Sequence, residues 1–308
     1  MSRAFVFPGQ GSQSIGMMQK LAETSDRIKS VFDEASSVLA IDLWDIVAAG
    51  PEEKLNSTDI TQPIMLAAGY ATWRAWQDAG GADPAVMAGH SLGEYTALVC
   101  AGALDFKDAI KLVNARGRYM QAAVPAGTGA MAAILGLDDD AVKQVCAQAA
   151  EQEIVQAVNF NSPGQVVIAG HKNAVERAAE LAKQQGAKRA VILPVSVPSH
   201  CKLMQPAADK LAKDLASITI FSPSIPVVNN VDVAMASEPD AIRDALTRQL
   251  FQPVRWVETI ERMASDGVHT ITECGPGKVL VGLNKRIDKS LAHAAIVDAE
   301  SLQAQLNS

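Results

Sequence analysis

Cysteine and histidine are scarce in this 308-residue chain, with four of one and five of the other, and the 27 Lys and Arg are outnumbered by 34 Asp and Glu. Cys100, Cys146, Cys201 and Cys274 are scattered, with no C-x-x-C pair. That spacing argues against a zinc site or a disulfide framework and predicts free, buried thiols; Cys201 stands apart because it adjoins His200. A formal charge of -7 excludes a general nucleic-acid binder, though not a local basic patch. No apolar run approaches the ~18 to 20 residues that a membrane helix needs. The start, Met1 to Pro8, lacks a signal-peptide hydrophobic stretch, so the expected location is the cytosol with no membrane contact. Repeats and low-complexity tracts are missing too. The loop Pro8-Gly9-Gln10-Gly11-Ser12-Gln13 is not a nucleotide-binding turn: a dinucleotide fingerprint needs glycine where Ser14 stands, and a P-loop needs lysine where Met17 follows Gly16.

What is present is a 48% hydrophobic composition with alternating strand and helix signals, which predicts an α/β fold with a largely parallel sheet covered by helices. Ala4 to Phe7 reads as a strand, 17–50 and 62–79 as helical, Ala85 to Ala88 as a buried strand, and Leu92 to Leu104 and Phe106 to Val124 as helices. Then the pattern changes. Strands at Met131 to Leu137, Ile154 to Phe160, Gln165 to Ala169 and Ala190 to Val195 alternate with helices at Asp138 to Ala150 and Asn173 to Gln185. The order βαββαβ is the ferredoxin-like arrangement. It predicts a small subdomain over 126–196 inserted in a large domain formed by 1–125 and 197–308. The large domain resumes with a helix near Cys201 to Ser217, a strand at Val227 to Val231, helices near Pro239 to Leu250 and Val254 to Asp266, a strand at Thr270 to Glu273, and a Gly275-Pro276-Gly277 turn into a last long helix.

Gly89-His90-Ser91-Leu92-Gly93 has the G-x-S-x-G form of a nucleophile elbow, and it lies between the strand ending at Ala88 and the following helix. In that context a serine sits on a strained turn, its hydroxyl raised above the sheet, while the Leu92 N–H opens the helix as an oxyanion donor. The plainer alternative is a serine that caps a helix.

A serine hydroxyl is a weak nucleophile without a base. His90 lies inside the elbow, where its side chain should point away from that of Ser91; His171 and His269 flank strands, and His293 is near the C-terminal end. His200 sits where the chain re-enters the large domain, on the rim of a cleft, so it is the candidate base unless it is a satisfied structural residue. No acidic residue nearby offers itself as a third member, which leaves a carbonyl to orient the ring. Arg116 falls on the same helical stripe as Ala109, Leu112, Val113 and Met120, opposite Lys107, Lys111, Asn114 and Arg118. It is either a structural ion pair, a snorkelling side chain, or a fork for a substrate carboxylate.

From end to end the chain resembles the bacterial malonyl-CoA:acyl carrier protein transacylases of fatty acid synthesis, through FVFPGQGSQ, GHSLGEY, NFNSPGQVVIAGH, PVSVPSHCKLM, PVVNNVD and GPGKVL. The resemblance implies a hydrolase-like domain with a ferredoxin-like insert, a Ser91 nucleophile, a His200 base, and a Gln249 backbone carbonyl holding the histidine ring. It implies an oxyanion hole of the Gln10 and Leu92 amides and an Arg116 that pairs with the malonyl carboxylate. Gln62, His90, Asn159 and Asn161 would line the substrate cleft. The partners implied are malonyl-CoA and CoA and an acidic acyl carrier protein, with no bound cofactor or metal and a monomeric state. An acidic carrier calls for a local basic surface, and Lys188, Arg189, Lys278, Lys285 and Arg286 are candidates. Other readings are an acyltransferase of a polyketide or polyunsaturated-lipid synthase, a hydrolase, and a non-catalytic carrier-binding protein that keeps the fold.

Overall fold

The structure, a computed structural model, describes residues 2–195 and 197–308. Met1 and Ser196 lie outside the described residues; Ser196 ends the expected insert and begins the His200 loop. In chain order the elements are β1 (Arg3–Phe7), α1 (Gln19–Ala22), α2 (Asp26–Leu39), α3 (Leu43–Ala49), α4 (Glu52–Leu55), α5 (Thr58–Asp78), β2 (Val86–Gly89), α6 (Leu92–Cys100) and α7 (Phe106–Ala122). Then come β3 (Gly129–Leu135), α8 (Asp139–Ala150), β4 (Val155–Ser162), β5 (Gln165–His171), α9 (Lys172–Gln184) and β6 (Arg189–Ile192). A 3-10 turn at Lys202–Met204 leads to α10 (Gln205–Ser217), β7 (Val227–Val228), α11 (Pro239–Gln249), α12 (Trp256–Ser265), β8 (Thr270–Cys274), α13 (Val279–Ile287), β9 (Ala292–Ile296) and α14 (Ala299–Leu306).

Side chains of β1 alternate between two apolar faces, as a strand buried on both sides requires. Phe5 and Phe7 join one core cluster, where Phe5 meets Trp73 and Trp76 edge-on at 5.6 and 5.2 Å; Ala4 and Val6 join the other, with Trp256. The sheet has the order β7-β2-β1-β8-β9, and every pairing is parallel. The elbow and the oxyanion loop leave neighbouring strands, since Phe7 pairs with Gly89.

The second sheet, β4-β5-β3-β6, is antiparallel throughout and is covered on one face by α8 and α9. Numbered within the unit, that order is the ferredoxin-like one. Two backbone bonds stitch it to the large sheet's unit: Val254 N–H donates to Val158 at 2.8 Å, and Phe160 N–H donates to Val254 at 3.0 Å. These bonds set Asn159 opposite Val254. Among the described residues no helix is long and apolar enough to cross a membrane.

The stretch 17–50 is helical as expected, in three pieces, the last break falling where Ala40 turns left-handed at φ 54° and Asp42 caps α3 by accepting Asp45 N–H. Two expectations are corrected. The strand expected at Val227 to Val231 ends at Val228, where Asn229 N–H turns to bond Ala234. The last long helix is α13, β9 and α14: the chain goes extended at Asp288, pairs in parallel with β8, and restarts as helix at Asp298, which forms a capping box with Ser301.

Candidate active site

Two glycines shape the elbow because no side chain fits where they stand. A Cβ on Gly93 would lie 2.0 Å from the Phe7 carbonyl oxygen, and one on Gly89 would lie 1.8 Å from the Gly93 backbone. Gly9 is held to the same rule, its Cβ position being 2.5 Å from the His90 oxygen and 3.7 Å from the Leu92 nitrogen. So the loop after β1 runs against the start of α6. Ser91 sits between these contacts with φ 52° and ψ -110°, a strained geometry that its surroundings must maintain. The backbone N–H groups of Gln10 and Leu92 have no protein acceptor among the described residues, which suits them to receive a developing oxyanion.

His200 is 4% exposed and has φ 65°. Its Nδ1 is 2.7 Å from the Gln249 carbonyl oxygen, and because a carbonyl only accepts, Nδ1 carries the proton. Nε2 therefore presents its lone pair to Ser91 Oγ, also at 2.7 Å. Burial, with Arg116 nearby, pushes the His200 imidazole down to about 3, so the ring is neutral at physiological pH and its Nε2 lone pair is free to face the serine hydroxyl. Cys201 is inert by comparison: its thiol donates to Pro198 and is pushed up to about 12 by burial.

Arg116 is 1% exposed, with no carboxylate hydrogen-bonded to it among the described residues. Two amide oxygens hold it: Gln62 Oε1 at 2.8 Å and Gln249 Oε1 at 3.1 Å, and its Nη2 is 3.4 Å from Ser91 Oγ. Its Nε has no partner. Burial lowers the guanidinium from its ordinary value, with Tyr95 and Glu94 opposing. A buried cation satisfied only by neutral oxygens, a few ångströms from a nucleophile, is matched to a substrate that carries a carboxylate.

The other expected cleft residues gather here unevenly. His90 Nε2 is 2.8 Å from Asn161 Oδ1, and Asn159 Oδ1 is buried without a partner. Gln10 is exposed, and its side chain reaches Thr58. Of the basic candidates, Lys188 and Arg286 line one open cavity, where Arg286 donates to Gln165 at 2.7 Å, and Arg189 and Lys285 adjoin them in the chain. Lys278 is at the opposite end of α13.

Two residues to which the sequence motifs assign no role sit directly under the elbow. Asn230, fully buried, accepts Ser91 N–H at 2.7 Å and donates to the Gly89 carbonyl at 2.7 Å, spanning the strained turn like a paired strand. Glu94, 2% exposed, accepts the Asn230 backbone N–H at 2.9 Å and the Gln249 side-chain N–H at 2.8 Å. Both stand inside recognisable motifs, but Glu94 and Asn230 are 136 residues apart, and only the fold joins them. Among the described residues no group of three His, Cys, Asp or Glu is placed to hold a metal.

A sequence model of the acyl transferase domain family matches residues 4–301. The malonyl CoA-acyl carrier protein transacylase of Escherichia coli is 58% identical, over 98% of both chains. The crystal structure of an acyl carrier protein S-malonyltransferase from Vibrio cholerae superposes with a TM-score of 0.97 at 60% identity, over 99% of each chain. A malonyl-transacylase solved in complex with a type II PKS acyl-carrier protein gives 0.99 at 57% identity, over 100% of this chain and 99% of that one. With identity of this level along its whole length, the chain belongs to the malonyl CoA-acyl carrier protein transacylases.

Proposed function

We propose that the chain moves the malonyl group of malonyl-CoA to the phosphopantetheine thiol of an acyl carrier protein through a malonyl ester on Ser91, in fatty acid biosynthesis. The observation that carries this reading is the shared site itself: a Ser91–His200 pair at 2.7 Å with the Arg116 guanidinium 3.4 Å from the same hydroxyl.

As Ser91 Oγ attacks the thioester carbon, His200 Nε2 takes its proton and the carbonyl oxygen becomes an oxyanion facing the Gln10 and Leu92 amides. The carbon–sulfur bond then breaks, and the proton passes from His200 to sulfur, so CoA leaves as a neutral thiol. The carrier's thiol enters, gives its proton to His200 and reverses the steps. Atoms and protons balance in both halves without a bound cofactor, and one copy of the chain suffices. Arg116 grips the malonyl carboxylate in both halves, with Gln62, His90, Asn159 and Asn161 lining the cleft and the Gln249 carbonyl orienting the base. We assign the reacting groups to one acyltransferase domain, 1–125 with 197–308, and read 126–196 as an inserted subdomain. The surface around Lys188 and Arg286 is the face we assign to an acidic carrier, and both thioesters being water-borne carriers, the reaction belongs in the cytosol.

Mass spectrometry tests the reading. Incubated with malonyl-CoA, the protein should gain one malonyl group on the peptide holding Ser91, and the acyl group should leave on addition of a carrier thiol. Intact protein that stays unlabelled would overturn it.

A further inference from the structure

Gln249 is bound at both ends of its side-chain amide, and the two ends differ. Its Oε1 accepts from Arg116 Nη2 at 3.1 Å; its Nε2 donates to Glu94 Oε2 at 2.8 Å and to the Ser91 carbonyl at 3.0 Å. A flipped amide would point N–H at the N–H of the guanidinium, and oxygen at two other oxygens. What prevents the flip is the set of acceptors at the far end, where two side chains meet the amide nitrogen: Glu94 Oε2 at 2.8 Å makes the short bond, and Asn230 Oδ1 stands farther off at 3.4 Å. The same Glu94 oxygen accepts the backbone N–H of Asn230, whose amide spans Gly89 and Ser91. All four side chains are buried, so no water competes at full strength for these bonds.

We propose that Glu94 is a positioning residue that sets acyl selectivity: by fixing which way the Gln249 amide faces, it keeps Arg116 turned to the reacting serine and receptive to a carboxylate. It touches neither substrate nor reacting atoms. Its effect on malonyl transfer runs through Gln249 to Arg116, and its effect on any acyl group runs through Asn230 to the elbow. The inference rests on the Ser91 and Arg116 assignments above.

The test compares malonyl with acetyl transfer in two variants at position 94. Glu94→Met keeps an unbranched chain and removes the nearest acceptor; Glu94→Gln keeps an acceptor oxygen and removes the charge. In Glu94→Met, malonyl transfer should fall about a hundredfold and acetyl transfer about tenfold, narrowing the ratio about tenfold, because only malonyl uses the relay to Arg116. Glu94→Gln should return the ratio to within about threefold of wild type, since the acceptor geometry survives. Equal losses for both acyl groups in Glu94→Met, or no recovery in Glu94→Gln, overturns the proposal. Where Glu94→Met does not fold, Gln249→Met carries the test. It retains the backbone carbonyl that holds His200 and should narrow the ratio alike; an unchanged ratio there overturns the relay. The wild type separates this from the underlying reading: no malonyl preference in wild type sinks the Arg116 clamp itself, whereas a strong wild-type preference untouched at position 94 sinks only the role of Glu94.

Discussion

Two strand-to-helix turns leave the same edge of the parallel sheet on either side of β1, one from β2 into α6 and the other from β8 into α13. Both are rich in glycine and both open a helix at its N-terminus. At α13 the protein fills that terminus with its own carboxylate: Glu273, fully buried, accepts Val281 N–H at 2.8 Å and also faces the N–H groups of Val279 and Leu280. At α6 nothing of the kind happens. Ser91 makes no side-chain cap bond, and Glu94 turns its carboxylate to Asn230 and Gln249 instead. A helix start attracts anions wherever it occurs. In the proposed reaction the two turns part because the α6 amides are left for the substrate's oxyanion, while the strain of the open turn is carried by the Asn230 side chain, which bonds Ser91 and Gly89.

The sharpest way to break this comparison is to remove the base. His200→Ala should lower transfer of malonyl and acetyl groups alike by roughly a thousandfold to ten-thousandfold, since the open turn alone cannot activate a hydroxyl. Steady-state assays with both thioesters check it, and a loss confined to one acyl group would mean that His200 reads the substrate instead of activating Ser91. Arg116→Ala probes the part of the site that the turn does not supply. Malonyl transfer should fall about a hundredfold or more while acetyl transfer changes little, because the lost interaction is a charge-assisted grip on a carboxylate. Equal losses would remove the clamp.

Glycine substitutions compare the two turns directly. Gly93→Ala places a methyl group 2.0 Å from the Phe7 oxygen, so it should destabilise the fold by about 3 kcal/mol or more and displace the oxyanion donors. At Gly277, φ is 81°, and the nearest atom to an added Cβ is the Ser12 oxygen at 3.6 Å. There only backbone strain remains, about 1 kcal/mol. Thermal melts of both variants decide the matter; similar losses would mean that close approach of the β1 loop is not what the elbow glycine serves.

The division between legible and illegible features follows the range of the interactions. The elbow, the βαββαβ order and the stripe that buries Arg116 are local patterns, set by residues within a turn or two of one another, and sequence reading reaches them. The break at Asp42 was also within reach, since an Asp before an apolar run is an N-cap signal. β9 was not: Ala292, Ala294 and Ala295 suit a helix as well as a half-exposed edge strand, and only pairing with β8 decides between them. Asn230 and Glu94 mark the other limit. Their side chains do nothing for their own segments that a pattern would betray, and their purpose exists only once strands far apart in the chain lie side by side.

The smallest effect concerns the filled turn and depends on pH. Burial pushes the Glu273 carboxyl up from an ordinary 4.5 to about 7, and one of its oxygens has no partner. A carboxyl whose value is raised on folding binds its proton more tightly in the folded state. Its contribution to stability is therefore fully present below about 4.5 and is lost as pH climbs through about 7. Glu273→Gln keeps an acceptor for the α13 amides but cannot ionise. It should be more stable than wild type at pH 8 by about 2 kcal/mol, and the advantage should shrink toward zero near pH 4. Glu94 and His200 titrate in both proteins, so they cancel in the difference between the two melting curves. A difference that stays constant from pH 4 to 8 would show that Glu273 is not held near neutrality by burial. The closed turn would then tolerate a full charge at the helix start, and the contrast with the open turn of Ser91 would rest on geometry alone.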